Sequence, residues 1–389
     1  MEFKERAEQR FGEVEHELRE LSRWMYDNPE VAFEEHESAS RLARFLTDGG
    51  MDVEFPAYGL ETAFVAKSGS SGPEVVICAE YDALPGVGHA CGHNLIATAA
   101  LGAGSALAPL AEDLGCRVTV LGTPAEEHYG GKVDLLKAGA FADAAAAMMI
   151  HPGPFDVVDP VVIAVAHLDV HFRGKESHAS FAPHLGINAL DAFVQAYVNV
   201  ATLRQQLMAT DKVHCIVTHG GEAANIIPAS TSSTWYVRAP ERNRLEEVKA
   251  KVRACFEAAA LATGCTVEIE PVGHGYDSLR SNPTLVDLFA ANATELGRTM
   301  LPGSAFPPEA AGSTDMGNVS WAVPSVHPLL GMECFPTVNH QPEFAAKTVT
   351  ETGEKVIRDG ALAMAWTVID LAEKDLWGDL DQGVGKTRH

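Results

Sequence analysis

Short apolar segments rich in β-branched residues alternate with longer helical segments through the first part of the chain, and this alternation constrains the fold more than any other feature. Residues 74–79 and 117–121 have the pattern of buried strands. Between them, residues 95–114 form an Ala- and Leu-rich helical pattern with Asn94 as the expected N-cap, and a further helix is expected at residues 133–138. Strands that alternate with helices predict an α/β sheet.

The order of the elements changes in the middle of the chain. Patterns of strand, helix, strand, strand, helix and strand follow one another at residues 167–172, 189–208, 213–218, 232–237, 245–262 and 266–269. This β-α-β-β-α-β order defines a ferredoxin-like unit. Helical patterns like those of the first part return at residues 285–296 and 349–372, which indicates that the module is inserted into the α/β domain.

The chain has 389 residues, of which 46% are apolar and 21% charged, and this is the composition of an ordinary globular protein. Such a length fits two domains, at roughly 150 residues per domain. We therefore predict a discontinuous catalytic α/β domain with a mixed sheet, residues 1–165 and 275–389, and an inserted ferredoxin-like domain, residues 166–274.

The net charge of −24, from 29 basic and 53 acidic residues, excludes two classes of partner. Nucleic acids and anionic membranes both repel so acidic a protein, so we expect no nucleic acid and no membrane as partner. The alternative is that the charge is simply that of an acidic cytosolic surface. We find no apolar signal-peptide core at the N-terminus and no membrane-spanning segment, and we expect a cytoplasmic protein with reduced cysteines.

Two clusters of chemically active residues follow the strand at residues 74–79. The first is the acidic run that contains Glu80 and Asp82. The second places Cys91 and His93 two residues apart at the start of a helix, where we expect a lowered thiol pKa. A thiolate with an imidazole suits a borderline metal such as zinc. A Cys-x-His pair by itself is weak support, because many cysteines are only buried core residues.

Three more candidates lie at strand ends or in loops. The adjacent acids Glu126 and Glu127 follow a strand and could divide the work, one binding a metal and the other transferring a proton. His151 ends the apolar run at residues 144–150, and His340 lies in a late polar loop. Each has an ordinary alternative, namely a solvated loop or a hydrogen-bonded core histidine. Together they supply ligands for one or two divalent metals with a general base beside them.

Several motifs along the chain resemble the aminoacylase and carboxypeptidase-G-like metallopeptidase family (clan MH). They are EYDALPG from Glu80, GHACGHN from Gly88, GTPAEE from Gly122, AGAF from Ala138, HP from His151, GKESHAS from Gly174, ANIIP from Ala224 and GSTDMG from Gly312. The motifs look most like those of auxin-conjugate hydrolases, hippurate hydrolases, aminobenzoyl-glutamate hydrolase and β-alanyl-lysine type dipeptidases. The resemblance implies a zinc-peptidase-like catalytic domain with an inserted lid and dimerisation domain.

The resemblance also implies a role for each matching residue. The metal ligands would be Cys91, His93, Glu127, His151 and His340, with Cys91 bridging two ions. The expected metal is zinc, while manganese, cobalt and nickel stay possible. Glu126 would be the general base and then the general acid towards a metal-bound water, and Asp82 would orient a ligand.

Residues of the inserted module complete the implied site. His178 resembles a histidine that stabilises the oxyanion in the other subunit of a homodimer. Asn225 and Arg238 resemble residues that hold the substrate carboxylate, and a planar guanidinium suits that group. The alternatives are a surface salt bridge for Arg238 and a turn residue for Asn225.

The function implied is metal-dependent hydrolysis of an amide bond in a small dipeptide or an N-acyl or aminobenzoyl amino acid. Two alternatives stay open, a deacylase of N-acyl amino acids and a non-catalytic peptide-binding homologue. The residues differ from the usual motifs at Asn94, where many relatives have Asp, and at His128, where small or acidic residues are common. These differences bear on the choice of substrate.

Overall fold

The computed structural model describes residues 2–307 and 311–381. In chain order the strands are β1 (Asp52–Glu54), β2 (Phe64–Ser68), β3 (Glu74–Ala79), β4 (Arg117–Gly122), β5 (Ala144–Met148), β6 (His151–Gly153), β7 (Ala164–Arg173), β8 (Lys212–His219), β9 (Ser230–Ala239), β10 (Thr266–Pro271), β11 (Ser325–Val326) and β12 (Leu329–Gly331). The α-helices are α1 (Phe3–Asp27), α2 (His36–Asp48), α3 (His93–Leu107), α4 (Ala111–Leu114), α5 (Gly131–Lys137), α6 (Ala189–Leu203), α7 (Arg242–Thr263), α8 (Pro283–Glu295), α9 (Met316–Ala322), α10 (Pro342–Thr348) and α11 (Glu351–Glu373). The predicted alternation of strands and helices is confirmed in the first part of the chain.

The chain divides into two compact units. Unit 1 comprises Met1–Val161, Leu279–Ala310 and Thr314–His389, and unit 2 comprises Val162–Ser278 and Ala311–Ser313. Each unit has a hydrophobic core of its own.

Unit 1 contains a six-stranded mixed sheet in the order β1-β2-β4-β3-β5-β11. Strands β4, β3, β5 and β11 run parallel to one another, while β2 is antiparallel to β4 and β1 is antiparallel to β2. The ends of the parallel strands are level, because Ala79 pairs with Gly122 and Val326 pairs with Met148. We call the edge where these four strands end the carboxyl edge. In open α/β sheets, ligands bind at this edge.

Helix α3 is the centre of the unit 1 core, and every residue of it is buried. It packs between α1 and α11 so closely that a Cβ added at Gly102 would lie 2.9 Å from both Phe11 and Ala361. Contrary to the expectation above, the segment His93–Leu114 is long and apolar enough to cross a membrane, and 89% of it is buried inside the protein. Its apolar composition is accounted for by this packing.

The predicted N-cap role of Asn94 is wrong. Helix α3 begins at His93 after Gly92, whose φ is +83°, and a Cβ at Gly92 would lie 2.4 Å from Pro152. Asn94 lies inside the first turn, where its amide donates to the hydroxyls of Ser22 (3.0 Å) and Thr348 (3.1 Å). A buried amide gains more from such distant partners than from capping its own helix.

Unit 2 is built on a four-stranded antiparallel sheet in the order β10-β7-β9-β8. Its elements follow one another as β7, α6, β8, β9, α7 and β10. Residues of β9 alternate strictly between buried and half-buried, and Trp235 fills the core beneath α6 and α7. Strand β8 is the terminal strand in this order, with Ile216 and Val217 exposed.

Candidate metal centre and active site

The carboxyl edge of the unit 1 sheet gathers the candidate residues. Glu80 and Asp82 follow β3, and Glu126 and Glu127 lie in the loop after β4. His151 begins β6, shortly after the end of β5. The segments that follow three neighbouring parallel strands therefore place acidic residues and a histidine together at the carboxyl edge.

The loop that carries Glu126 has a constrained backbone. Ala125 has a φ of +60°, which non-glycine residues rarely adopt. Its N–H donates to the carboxylate of Glu35 at 2.9 Å, and Glu35 is completely buried. Burial and the nearby charge of Asp82 raise the pKa of Glu35 to about 7. Glu35 thus fixes the turn that presents Glu126, and the sequence analysis missed it.

Two groups of potential metal ligands share Cys91. The first consists of Cys91, His93 and His151, and the second of Cys91, Glu127 and His340; within each group the ligand atoms lie within 4.8 Å of one another. Cys91 Sγ is 3.4 Å from His151 Nε2, and His340 Nε2 is 3.7 Å from Glu127 Oε2. The structure therefore brings all five residues proposed as ligands into one cluster.

Two of the atoms that would face a metal make no hydrogen bond. His93 Nε2 and Glu127 Oε1 are buried without a hydrogen bond to any described residue. Leaving such atoms without a hydrogen bond is costly, and a bound cation would satisfy both of them. Sulfur, imidazole and carboxylate ligands suit borderline divalent metals. The site therefore fits a divalent metal.

In the metal-free chain the thiol of Cys91 does not show the expected low pKa. Burial and the charge of Glu127 raise the pKa of this thiol well above its ordinary value. These two effects outweigh the lowering of the thiol pKa that the N-terminus of α3 would cause. A bound metal would be needed to hold Cys91 as the thiolate.

Asp82 connects the two ligand groups. Its Oδ1 lies 3.0 Å from His93 Nδ1, and its Oδ2 accepts the backbone N–H of Glu127 at 3.0 Å. Burial alone would lower the pKa of His93, but the charge of Asp82 and this hydrogen bond raise it well above its ordinary value. Asp82 thus lies where a group that orients ligands is needed.

Behind His93 lies a buried charge network of which only Glu80 was a candidate from the sequence. Lys132 Nζ contacts Glu80 Oε1 at 2.5 Å and Asp315 Oδ1 at 2.7 Å, and all three side chains are inaccessible to solvent. Glu80 Oε2 is 3.4 Å from His93 Nε2. Lys132 therefore neutralises part of the negative charge gathered at the carboxyl edge.

We expect Lys132→Met to lower the free energy of unfolding of the metal-free protein by about 3–5 kcal/mol, because two buried carboxylates lose their cation. Denaturant unfolding measures this. Lys137→Met is the matched control, since Lys137 is an exposed lysine on the same helix, and surface changes usually stay within about 0.5 kcal/mol. Equal unfolding free energies for the two variants would contradict the role given to Lys132.

Glu126 belongs to neither of the groups that share Cys91, but it forms a third group of potential ligands with Glu80 and His93. It is 6% exposed, and its Oε2 lies 4.0 Å from His93 Nε2. Burial and the charges of Glu80 and Glu127 raise its pKa well above the ordinary value. A carboxyl group so placed can hold and release a proton.

Another buried histidine, His327, lies at the carboxyl edge directly after β11 and was not predicted. Its ring centroid is 5.7 Å from that of His151. The continuous apolar run that identified His151 is lacking here, because Pro324 and Ser325 interrupt the residues before His327. His128, in contrast, is exposed on the loop, where its Nδ1 lies 2.7 Å from the carbonyl oxygen of Glu127 and its ring contacts that of Tyr129.

In unit 2, His178 and Asn225 lie side by side. Ala179 N donates to Asn225 O at 2.9 Å, and His178 forms a β-bridge with Ile226. Both side chains are exposed. The Nδ1 atom of His178 accepts the backbone N–H of Phe181 at 3.1 Å, which leaves its Nε2 turned away from that turn. Asn225 is part of a turn, as its alternative interpretation proposed.

Arg238 is half-buried on β9. Its Nη1 donates to Ser313 Oγ at 3.0 Å, and burial lowers its pKa. No acidic side chain of residues 2–307 or 311–381 forms an ion pair with it. The alternative of a surface salt bridge therefore has no support, and the guanidinium keeps donors for an anion.

Residues 76–362 match the model of peptidase family M20/M25/M40. The chain belongs to this family. The match includes all five proposed metal ligands and Glu126. This M20 chain is a hydrolase that acts on amide bonds with the help of a divalent metal, which agrees with the resemblance found in its motifs.

Relatives and solved structures agree with this family. The M20 chain is 40% identical to the Xaa-Arg dipeptidase of Mus musculus, over 96% of the chain and 89% of that protein. It is 33% identical to one of the polypeptides of the p-aminobenzoyl-glutamate hydrolase of Escherichia coli, over 63% of the chain and 55% of that polypeptide. Its fold matches a dinuclear metal-binding M20 peptidase of Bacillus subtilis with a TM-score of 0.72 and 20% identity, over 93% and 99% of the two chains.

Proposed function

We propose that this protein is a dipeptidase that binds two divalent metal ions and hydrolyses the single amide bond of a small dipeptide. The observation that carries the proposal is the pair of three-ligand groups that share Cys91, with Glu126 beside them. One shared sulfur and two separate sets of His and Glu ligands suit two ions held close together. A spare buried carboxylate next to them has no use in a protein that only binds peptides.

Each residue has a task in the reaction. When bound, the metal supplies an acidified water and positive charge for the amide oxygen. Glu126 takes a proton from the attacking water while the water oxygen forms a bond to the carbonyl carbon. Glu126 then delivers that proton to the nitrogen as the C–N bond breaks, so the products are a carboxylic acid and an amine. Asp82 keeps His93 and Glu127 in position throughout.

Charge balance supports two ions over one. Glu80, Asp82, Glu127 and Asp315 crowd the carboxyl edge, and Lys132 is the cation that pairs with two of them. A Cys91 thiolate brings the negative charges to five, and Lys132 with a single divalent ion compensates three of them, so two stay uncompensated. We propose zinc, because the set combines one sulfur with imidazole and carboxylate. Manganese, cobalt and nickel fit the same ligands.

The substrate is proposed to carry a free carboxylate that Arg238 and Asn225 bind. Arg238 has donors to spare, as described above, and bidentate pairing favours arginine for a carboxylate. Relatives named as Xaa-Arg dipeptidases cover nearly the whole chain, while the N-acetyl-L-cysteine deacetylase of Bacillus subtilis is 27% identical over 64% of it. A dipeptide is therefore favoured over an N-acyl amino acid.

A substrate panel tests this choice. We expect β-alanyl-arginine to be hydrolysed with the highest kcat/KM, ahead of aminobenzoyl-glutamate and N-acetyl-arginine, with loss of all activity after dialysis against a chelator. Release of free arginine or glutamate is the measurement. A preference for N-acetyl-arginine would show a deacylase instead, and activity that survives removal of all metal would refute the metal mechanism.

We also propose that unit 2 is a ferredoxin-like lid through which two chains form a homodimer. Strand β8 is a terminal strand with exposed apolar residues, and such edges invite pairing with another chain. Exposed Val194, Tyr197 and Val198 on α6 extend the apolar surface. His178 would then stabilise the oxyanion in the site of the partner.

Mixing two inactive proteins tests the role of His178. Glu126→Gln and His178→Ala homodimers should each be inactive, and exchange of chains should restore part of the activity, because a hybrid dimer holds one site with both residues. Turnover before and after exchange is measured, with exchange verified by differently tagged chains. Exchange without recovery would place His178 outside the partner's site.

A further inference from the structure

His327 lies at the carboxyl edge beside the ligand cluster. Strand β11 pairs in parallel with β5, and β12 pairs in parallel with β6, so His327 lies between two paired segments. The backbone is fixed there by hydrogen bonds from Met149 N to Val326 O (3.3 Å) and from His151 N to Pro328 O (2.9 Å). His327 therefore lies directly after the pair of Val326 with Met148 and two residues before Leu329, the partner of His151.

The ring of His327 is buried but makes no hydrogen bond. The residue is 3% exposed, as buried as Cys91 and Glu126, and neither Nδ1 nor Nε2 has a partner among the described residues. Burying unpaired polar atoms opposes folding. An apolar ring would fill the same space without this cost, so stability does not explain the histidine.

His327 continues a row of imidazoles that leads into the ligand cluster. Its ring centroid is 5.7 Å from that of His151, which is 6.0 Å from that of His93. His327 is not in the groups of potential metal ligands found among the described residues. Its two unpaired nitrogens therefore lie beside the His151 end of the cluster and outside both proposed metal sites.

A dipeptide has two charged groups outside its scissile amide, a carboxylate and an amino group. The proposed function assigns the carboxylate to Arg238 and leaves the amino group without a partner. We propose that His327 is a specificity-determining residue that accepts a hydrogen bond from the amino group of the N-terminal residue. A neutral imidazole offers one acceptor nitrogen, and the acidic carboxyl edge favours a cation. This inference rests on the proposed dipeptidase function.

Two substrates that differ only in the amino group test the inference. β-Alanyl-arginine carries it, and propionyl-arginine has the same chain without it. In His327→Phe we expect kcat/KM for β-alanyl-arginine to fall roughly 10- to 100-fold, the worth of one charged hydrogen bond, and kcat/KM for propionyl-arginine to stay within about threefold. His327→Gln, which keeps an acceptor, should recover part of the loss.

Two further measurements separate this role from others. The Tm of His327→Phe should equal or exceed that of the wild type, because no hydrogen bond is lost, and its metal-to-protein ratio should be unchanged. Ser325→Ala is the control for a disturbed β11, since the buried Ser325 hydroxyl bonds within its own turn, to Val323 O at 2.7 Å. An equal loss for both substrates, a lower metal ratio or a lower Tm would each overturn the inference.

Binding distinguishes failure of this inference from failure of the proposed function. Calorimetry in the Glu126→Gln background measures the affinity for each uncleaved compound with and without His327→Phe. If the wild type cleaves neither compound, the dipeptidase proposal fails, and the affinities still decide the role of His327. Tighter binding of β-alanyl-arginine than of propionyl-arginine, lost in His327→Phe, supports it; equal affinities refute it.

Discussion

Replacing Glu126 with glutamine is expected to lower kcat by about two to four orders of magnitude while the metal content stays that of the wild type. Glutamine keeps the size of the side chain but cannot take up and release a proton. Glu126 is not one of the five proposed ligands, and it shares only His93 with them in its own group of potential ligands, so its replacement leaves all five in place. Steady-state kinetics and elemental analysis of the same protein sample make the measurement.

Glu127→Gln is the matched control for this experiment. The neighbouring carboxylate is a proposed ligand, so its replacement should lower both the metal content and the activity, whereas Glu126→Gln lowers activity alone. Full turnover in Glu126→Gln would refute the assigned mechanism. Loss of metal from Glu126→Gln would move Glu126 from proton transfer to metal binding.

Replacing Cys91 with serine is expected to remove both ions and with them all measurable turnover. A serine hydroxyl is a far poorer ligand than a thiolate, and Cys91 is the residue common to both groups. The metal-to-protein ratio after gel filtration should fall from two to below one. His340→Ala, which removes a ligand of one group only, should retain about one ion.

Comparing Cys91→Ser with His340→Ala tests whether Cys91 is a ligand of both ions. If Cys91→Ser retains one tightly bound ion, Cys91 serves a single metal and the two groups are independent. If His340→Ala loses both ions, the second site depends on the first. Thermal unfolding of the metal-free proteins serves as a control, because serine replaces cysteine in a site held by other contacts.

The sequence was sufficient for elements whose signal is local. Strands β3 and β4 and helix α3 have continuous apolar patterns, and the residues just after those strands reach the carboxyl edge as predicted. The two-residue strand β11 shows no periodicity, so the position of His327 could not be inferred from it. The N-cap prediction for Asn94 was wrong because capping tendency is a local property. The hydrogen bonds that Asn94 makes are to residues 72 and 254 positions away in the sequence.

The supporting residues were missed for a related reason. Glu35 acts on Ala125, 90 residues away, and Lys132 joins Glu80 to Asp315 across separations of 52 and 183 residues. In the sequence, each is one charged residue among many. Only the folded chain shows that these charges are buried and paired, and burial is what gives them their function.

Asp82 holds His93 with one oxygen and the backbone of Glu127 with the other. Two of the proposed ligands are thus oriented by hydrogen bonds within the chain. Folding and loading are therefore separable events: the emptied enzyme should persist as a stable apoprotein and accept a different ion without refolding.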